Sequence, residues 1–90
     1  MLSEQSLRNM LRHASIPTLI MCLAQITGEE CWLQEPFLPR RDTNLFADES
    51  GGLPADVQQT VRDAMERVMG ALHRASARCR RRLTRLVSFA

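Results

Sequence analysis

The stretch IPTLIMCLAQITG, residues 16–28, is apolar over most of its length and has a helix-boundary residue near each end. Pro17 suits the first turn of a helix, where its missing N–H is not needed, and Gly28 suits the left-handed position just after a helix. One face would carry Ile16, Leu19, Ile20, Leu23 and Ile26. Met21 and Cys22 make the opposite face apolar too, so we predict a helix that lies at the centre of the fold or meets a partner.

A first short helix is predicted before this stretch. Ser3 is placed as its N-cap, and Glu4 in the first turn is favoured by the helix dipole. Leu7 and Leu11 follow at helical spacing and give the segment one apolar side.

The segment after Gly28 predicts a short helix over residues 29–34 that carries Trp32 and Leu33 inward, followed by a long ordered loop over residues 36–53. Prolines 36 and 39 disfavour regular structure there. Four apolar residues would anchor the loop to the helices: Phe37, Leu38, Leu45 and Phe46.

A long amphipathic helix is predicted from Pro54 and Asp56, which suit a helix start. Apolar residues continue near a spacing of 3.6 up to Leu72 and, more weakly, through Ala75, Cys79, Leu83 and Leu86. The predicted fold is therefore all-α: two short N-terminal helices, a long ordered loop and a long C-terminal helix.

Eight apolar residues are predicted to form the packing or interface surface of this domain: Leu19, Ile20, Leu23, Trp32, Val57, Val61, Met65 and Val68. The sequence contains more apolar helix surface than a short chain is expected to cover, so we expect another polypeptide to cover part of it.

Gly51-Gly52 raises the question of a phosphate-binding loop. Such loops follow an apolar strand and contain more glycines, or end in Gly-Lys-Ser/Thr. Here Asp48 and Glu49 come just before the glycines and would repel a phosphate. We therefore interpret Gly51-Gly52 as a turn that leads into the last helix.

The charge of the 90-residue chain is divided unevenly, although its net charge is only +2. Residues 1–70 carry six arginines and ten acidic residues, a net charge of −4, whereas residues 71–90 carry six arginines and no acidic residue. We therefore divide the chain into a helical domain, 1–70, and an arginine-rich helical tail, 71–90, that is not a domain by itself.

The arginines of the tail favour a contact with anions. Arg74, Arg78, Arg81 and Arg85 would recur on one side of a continuous helix, as in a phosphate-binding stripe. No aromatic residue is interleaved, and a solvated helix end with arginines is the plainer interpretation. A nucleic-acid-binding or protein-interaction module is kept as the alternative function.

The two histidines and three cysteines show no spacing typical of a metal site or a catalytic Cys–His pair. No membrane span is expected, because the most apolar run, residues 16–26, is far shorter than the roughly 20 residues required. With no signal peptide, we expect a cytoplasmic protein with reduced thiols.

The ordered series of motifs over residues 16–68 resembles the N-terminal region of Baeyer–Villiger monooxygenases of the 4-hydroxyacetophenone monooxygenase type. The match comprises Pro17 with the apolar run to Leu23, Ala24-Gln25-Ile26-Thr27-Gly28, Trp32-Leu33, Pro39-Arg40, and Gly51-Gly52-Leu53-Pro54 with Val57 and Val61. This family uses FAD, NADPH and O₂ to insert oxygen beside a ketone carbonyl.

The resemblance implies a non-catalytic helical extension that serves subunit association or docks onto the catalytic domains or a second copy of the chain. The Gly-x-Gly-x-x-Gly turns of that family are absent here, so no catalytic, FAD-binding or NADPH-binding residue is carried over. From about residue 70 the sequence departs from the family, and we expect a truncated or frame-shifted part of a longer gene.

Overall fold

The computed structural model describes residues 3–37 and 50–88, and this part of the chain is helical, with no strand. It contains four α-helices and two 3₁₀ helices, in the order α1 Glu4–His13, α2 Ile16–Thr27, first 3₁₀ helix Glu30–Leu33, α3 Ala55–Gly70, second 3₁₀ helix Leu72–Arg74 and α4 Ala77–Ser88. The predicted all-α class is confirmed.

Helix α2 is central, as its sequence predicts: it packs against α3, α4 and the first 3₁₀ helix. Five of its side chains are buried: Ile16, Leu19, Ile20, Cys22 and Leu23. Pro17 lies in its first turn, and Gly28 closes it with φ 68° in the left-handed region. The N-cap is Ser15, whose Oγ accepts a hydrogen bond from Thr18 N at 3.4 Å, a cap that we did not predict.

Helix α1 packs against α4 and buries Leu7 and Leu11 completely. The predicted cap is confirmed, since Ser3 Oγ accepts a hydrogen bond from Ser6 N at 3.1 Å. Arg8 and Glu4 form an ion pair of 2.7 Å along the helix, and both side chains are partly buried.

The prediction of one long C-terminal helix is wrong, because α3 ends at Gly70 and α4 begins at Ala77. Gly70 is a poor helix former, and Ser76 starts a new helix by accepting a hydrogen bond from Cys79 N at 3.1 Å. An unbroken helix over residues 55–88 would be about 50 Å long, whereas the longest dimension of the molecule is 37 Å. The break lets α4 turn back and bury Leu83 and Val87 against α1 and α2.

The first 3₁₀ helix orients two neighbouring side chains differently. Trp32 is buried as predicted and its ring centroid lies 4.7 Å from that of Phe37. Leu33, which we predicted to point inward, is 42% exposed instead. Phe37 packs against the core, whereas the other predicted loop anchors, Leu38, Leu45 and Phe46, lie outside the described residues.

Candidate functional site: an apolar groove between α3 and α4

The predicted packing residues lie mainly in the interior of the chain itself. Six of them are buried, namely Leu19, Ile20, Leu23, Trp32, Val61 and Met65, while Val57 and Val68 are partly buried. These side chains join α2 to α3 and to the first 3₁₀ helix. A surface for a partner therefore has to be formed by other residues.

A groove of about 430 Å³ opens where α3 ends, the second 3₁₀ helix crosses and α4 begins. Its apolar lining comes from four elements and includes Ile26, Val68, Leu72, Ala75, Cys79 and Leu83. Leu72 and Leu83 are buried at its floor, whereas Ile26, Val68 and Cys79 are only partly covered. The groove exists because the chain breaks after Gly70, so a straight helix would not have formed it.

The charged residues that line this groove are all positive. Arg67 and Arg74 line it and are exposed. Neither forms an ion pair with a carboxylate of residues 3–37 or 50–88. Asp63 lies one turn before Arg67, but its Oδ1 accepts a hydrogen bond from Gln59 Nε2 at 2.8 Å instead.

A second, smaller groove of about 280 Å³ lies between α1, α2 and α3. Its apolar floor is formed by Leu11, Leu19, Met65 and Met69. It is lined by both signs of charge, Arg12 and Arg62 with Glu66. The two grooves thus differ in charge: the larger is lined by arginine alone.

The predicted arginine stripe does not lie on one continuous helix. Arg74 belongs to the second 3₁₀ helix, whereas Arg78, Arg81 and Arg85 belong to α4 and are exposed. Arg80 is partly buried, and its Nε has no hydrogen-bond partner. The α4 arginines form no ion pair with any carboxylate in the described part of the chain.

Gly51-Gly52 forms a turn, as predicted. Both glycines have positive φ, 64° and 77°, and Leu53 N donates to Ser50 O across the turn at 3.3 Å. A Cβ atom on Gly51 would lie 2.9 Å from Cγ of Pro17. Gly51 is therefore packed against α2, and the N–H of Gly52 donates to Ser50 Oγ at 3.1 Å.

Residues 3–37 and 50–88 do not by themselves form a site that fits a bound FAD. A dinucleotide-binding site places pyrophosphate on a glycine-rich turn between a strand and a helix. The described residues contain no strand, and the buried Gly51 of their glycine pair faces Pro17.

The thiols differ in their surroundings. Cys22 is fully buried in α2, and desolvation raises its pKa from 9.0 to about 12. Cys31 is exposed, and its Sγ donates to Glu29 Oε2 at 3.4 Å. Desolvation, this hydrogen bond and the charge of Glu29 raise the pKa of Cys31. Both thiols are thereby held in the protonated, less nucleophilic form.

Residues 3–37 and 50–88 contain no group of three or more His, Cys, Asp or Glu side chains arranged to hold a metal ion.

None of the helices in the described part of the chain has the length and apolarity needed to cross a lipid bilayer.

The chain is similar to a monooxygenase. It is 46% identical over 55 residues to the uncharacterized monooxygenase y4iD of Sinorhizobium fredii. The match covers 60% of this chain but only 8% of the length of that protein. No protein-family profile matches the chain, and no solved structure matches it. The similarity therefore relates a helical segment to a small part of a much longer protein.

Proposed function

We propose that this chain is a non-catalytic helical module of a flavin-dependent Baeyer–Villiger monooxygenase and that it docks onto the domains that bind FAD and NADPH. The observation that carries the proposal is the 46% identity over 55 residues with a monooxygenase. The motif series from Pro17 to Val61 supports the Baeyer–Villiger type. The chemistry then belongs to other domains, and this chain contributes contact surface.

The shape of the molecule supports a docking role. The core is closed by the chain's own residues, and its described buried side chains are all apolar. The surface nevertheless retains an apolar groove between α3 and α4. Exposed apolar surface in a groove is typical of sites that bind another molecule.

A chimera tests the proposal. In the rhizobial monooxygenase, the stretch that matches this chain is replaced by the corresponding residues of this chain, and a second variant lacks the stretch altogether. We expect the chimera to retain bound flavin and NADPH oxidation, whereas the deletion variant loses solubility, subunit association or activity. A deletion variant that behaves like the intact enzyme in all three respects would refute the docking role.

The isolated chain provides the second test. We expect purified chain to be colourless and not to bind FAD or NADPH in a titration, since it supplies contacts only. Light scattering on the same sample measures whether the chain associates with itself. Binding of flavin by the isolated chain would contradict the assignment of the chemistry to other domains.

Nucleic-acid binding is the competing function, because the exposed α4 arginines lack carboxylate partners in the described part of the chain. It predicts DNA affinity that falls steeply with salt and disappears when residues 74–85 are removed. Such binding, together with a dispensable matching stretch in the monooxygenase, would replace the docking role with this alternative.

A further inference from the structure

We infer that the groove between α3 and α4 binds an acidic amphipathic helix of another polypeptide. This assignment rests on the proposed docking role and names the surface and the chemistry of the partner. Two properties of the groove support it: its apolar lining and its positive charge.

The apolar lining matches the apolar face of a helix. Helices that dock in grooves insert side chains spaced three or four residues apart. The groove has a volume of about 430 Å³, room for single side chains of such a helix to insert. Ile26, Val68 and Cys79 are only partly covered, so a docked side chain would complete their burial.

The positive charge of the groove favours an acidic partner. Arg67 and Arg74 line the groove from two elements, and residues 71–90 carry no acidic residue to neutralise them. Glu66 lies next to Arg67 in sequence but lines the other groove. A helix with carboxylates beside its apolar face would therefore form charge-assisted hydrogen bonds with the two guanidinium groups.

A second copy of this chain fits the groove less well. All ten of its acidic residues lie in residues 1–70, so a basic groove on one copy would meet an acidic face on the next. Such a head-to-tail contact uses two different surfaces and produces open chains of molecules unless the rotation closes. A separate acidic helix would fill the groove without producing open chains of molecules.

Designed helical peptides are the probe for this assignment. Three peptides share one leucine face and carry glutamate, glutamine or lysine on the other face. The protein is the full chain with Cys31→Ser, so that Cys79 in the groove is the thiol to be alkylated, since Cys22 is buried. Protection of Cys79 from iodoacetamide then reports occupancy of the groove.

We expect the glutamate peptide to slow alkylation of Cys79 and the lysine peptide to leave it unchanged. Protection should weaken as the salt concentration rises from about 50 mM to about 500 mM. Equal protection by both charged peptides, or no protection at about millimolar peptide, would overturn the assignment. So would protection that depends on protein concentration alone, because a second copy would then fill the groove.

Two pairs of variants locate the site. Arg67→Glu with Arg74→Glu should weaken binding of the glutamate peptide by about tenfold or more, whereas Arg81→Glu with Arg82→Glu, exposed on α4 and outside the groove lining, should have a much smaller effect. Ala71→Phe narrows the groove at an exposed position, and Ala77→Phe is its control outside the lining. Circular dichroism verifies that each variant is folded.

The outcomes separate this inference from the proposed function. If the chimeric monooxygenase is active but the full chain with Arg67→Glu and Arg74→Glu binds the glutamate peptide as well as the unchanged chain does, the docking role stands and the groove assignment fails. If the matching stretch is dispensable, the docking role fails whatever the peptides do. DNA that protects Cys79 while the glutamate peptide does not would overturn the acidic-helix assignment.

Discussion

Gly51 lies directly on Pro17: a Cβ atom built on the glycine would be 2.9 Å from Cγ of the proline. The turn before α3 thus rests on the first turn of α2, and the missing side chain of Gly51 permits this contact. Pro17 and Gly51 are 34 residues apart in sequence, so the contact helps to set how α3 begins against the central helix.

Replacing Gly51 is therefore expected to destabilise the fold more than replacing Gly28. Both have φ in the left-handed region, where an alanine is strained by roughly 1–2 kcal/mol. Gly51→Ala adds the contact with Pro17, whereas a Cβ on Gly28 meets nothing within 4 Å. Urea denaturation of both variants measures the difference in free energy of unfolding. Equal losses would show that the turn moves away from α2 without penalty.

Leu23→Ala is expected to reduce the free energy of unfolding by about 2–5 kcal/mol, because this side chain is fully buried among α2 and its neighbours. Met21→Ala on the same helix is the matched control. Met21 is 44% exposed, and its replacement should change stability by less than about 0.5 kcal/mol. A comparable effect of both changes would contradict the central position of α2.

Ser76→Ala is expected to destabilise the start of α4 by about 1 kcal/mol, since it removes the acceptor for Cys79 N. Ser88→Ala, at the exposed last residue of α4, serves as the control. Thermal unfolding followed by circular dichroism measures both. An unchanged midpoint for Ser76→Ala would mean that the helix break does not depend on this cap.

Stability is expected to fall between about pH 9 and pH 12 because of Cys22. Burial raises the pKa of its thiol from 9.0 to about 12, so in this window the unfolded chain loses a proton that the folded chain retains. The free energy of unfolding should therefore decrease with rising pH, by up to about 1.4 kcal/mol per pH unit.

Denaturant titrations under reducing conditions over this pH range measure that slope. Cys22→Ala should flatten the curve, whereas Cys79→Ala should leave the Cys22 contribution in place. A slope that persists in Cys22→Ala would assign the pH dependence to other groups.

The start of α1 and the two ends of α2 follow from local chemistry, which is why they were predictable. Ser3 supplies a cap for the first N–H groups of α1. Pro17 and Gly28 mark the ends of α2 through their own backbone preferences. The apolar surface around α2 predicts its central place, because such a helix has to be covered on several sides. The turn at Gly51-Gly52 was also predicted from its residues.

The break after Gly70 and the groove it creates were decided by tertiary packing. The apolar spacing through Cys79 and Leu83 is compatible with one long helix, and no proline interrupts it. Folding back buries Leu83 and Val87 against α1 and α2, which an extended helix leaves in water. Sequence alone thus determined the helical class, the start of α1, the ends of α2 and the excess of arginine near the C-terminus. The path of α4 and the position of the groove depended on which distant side chains were available to cover the apolar side of α4. Burial is a property of the assembled helices and not of any one segment.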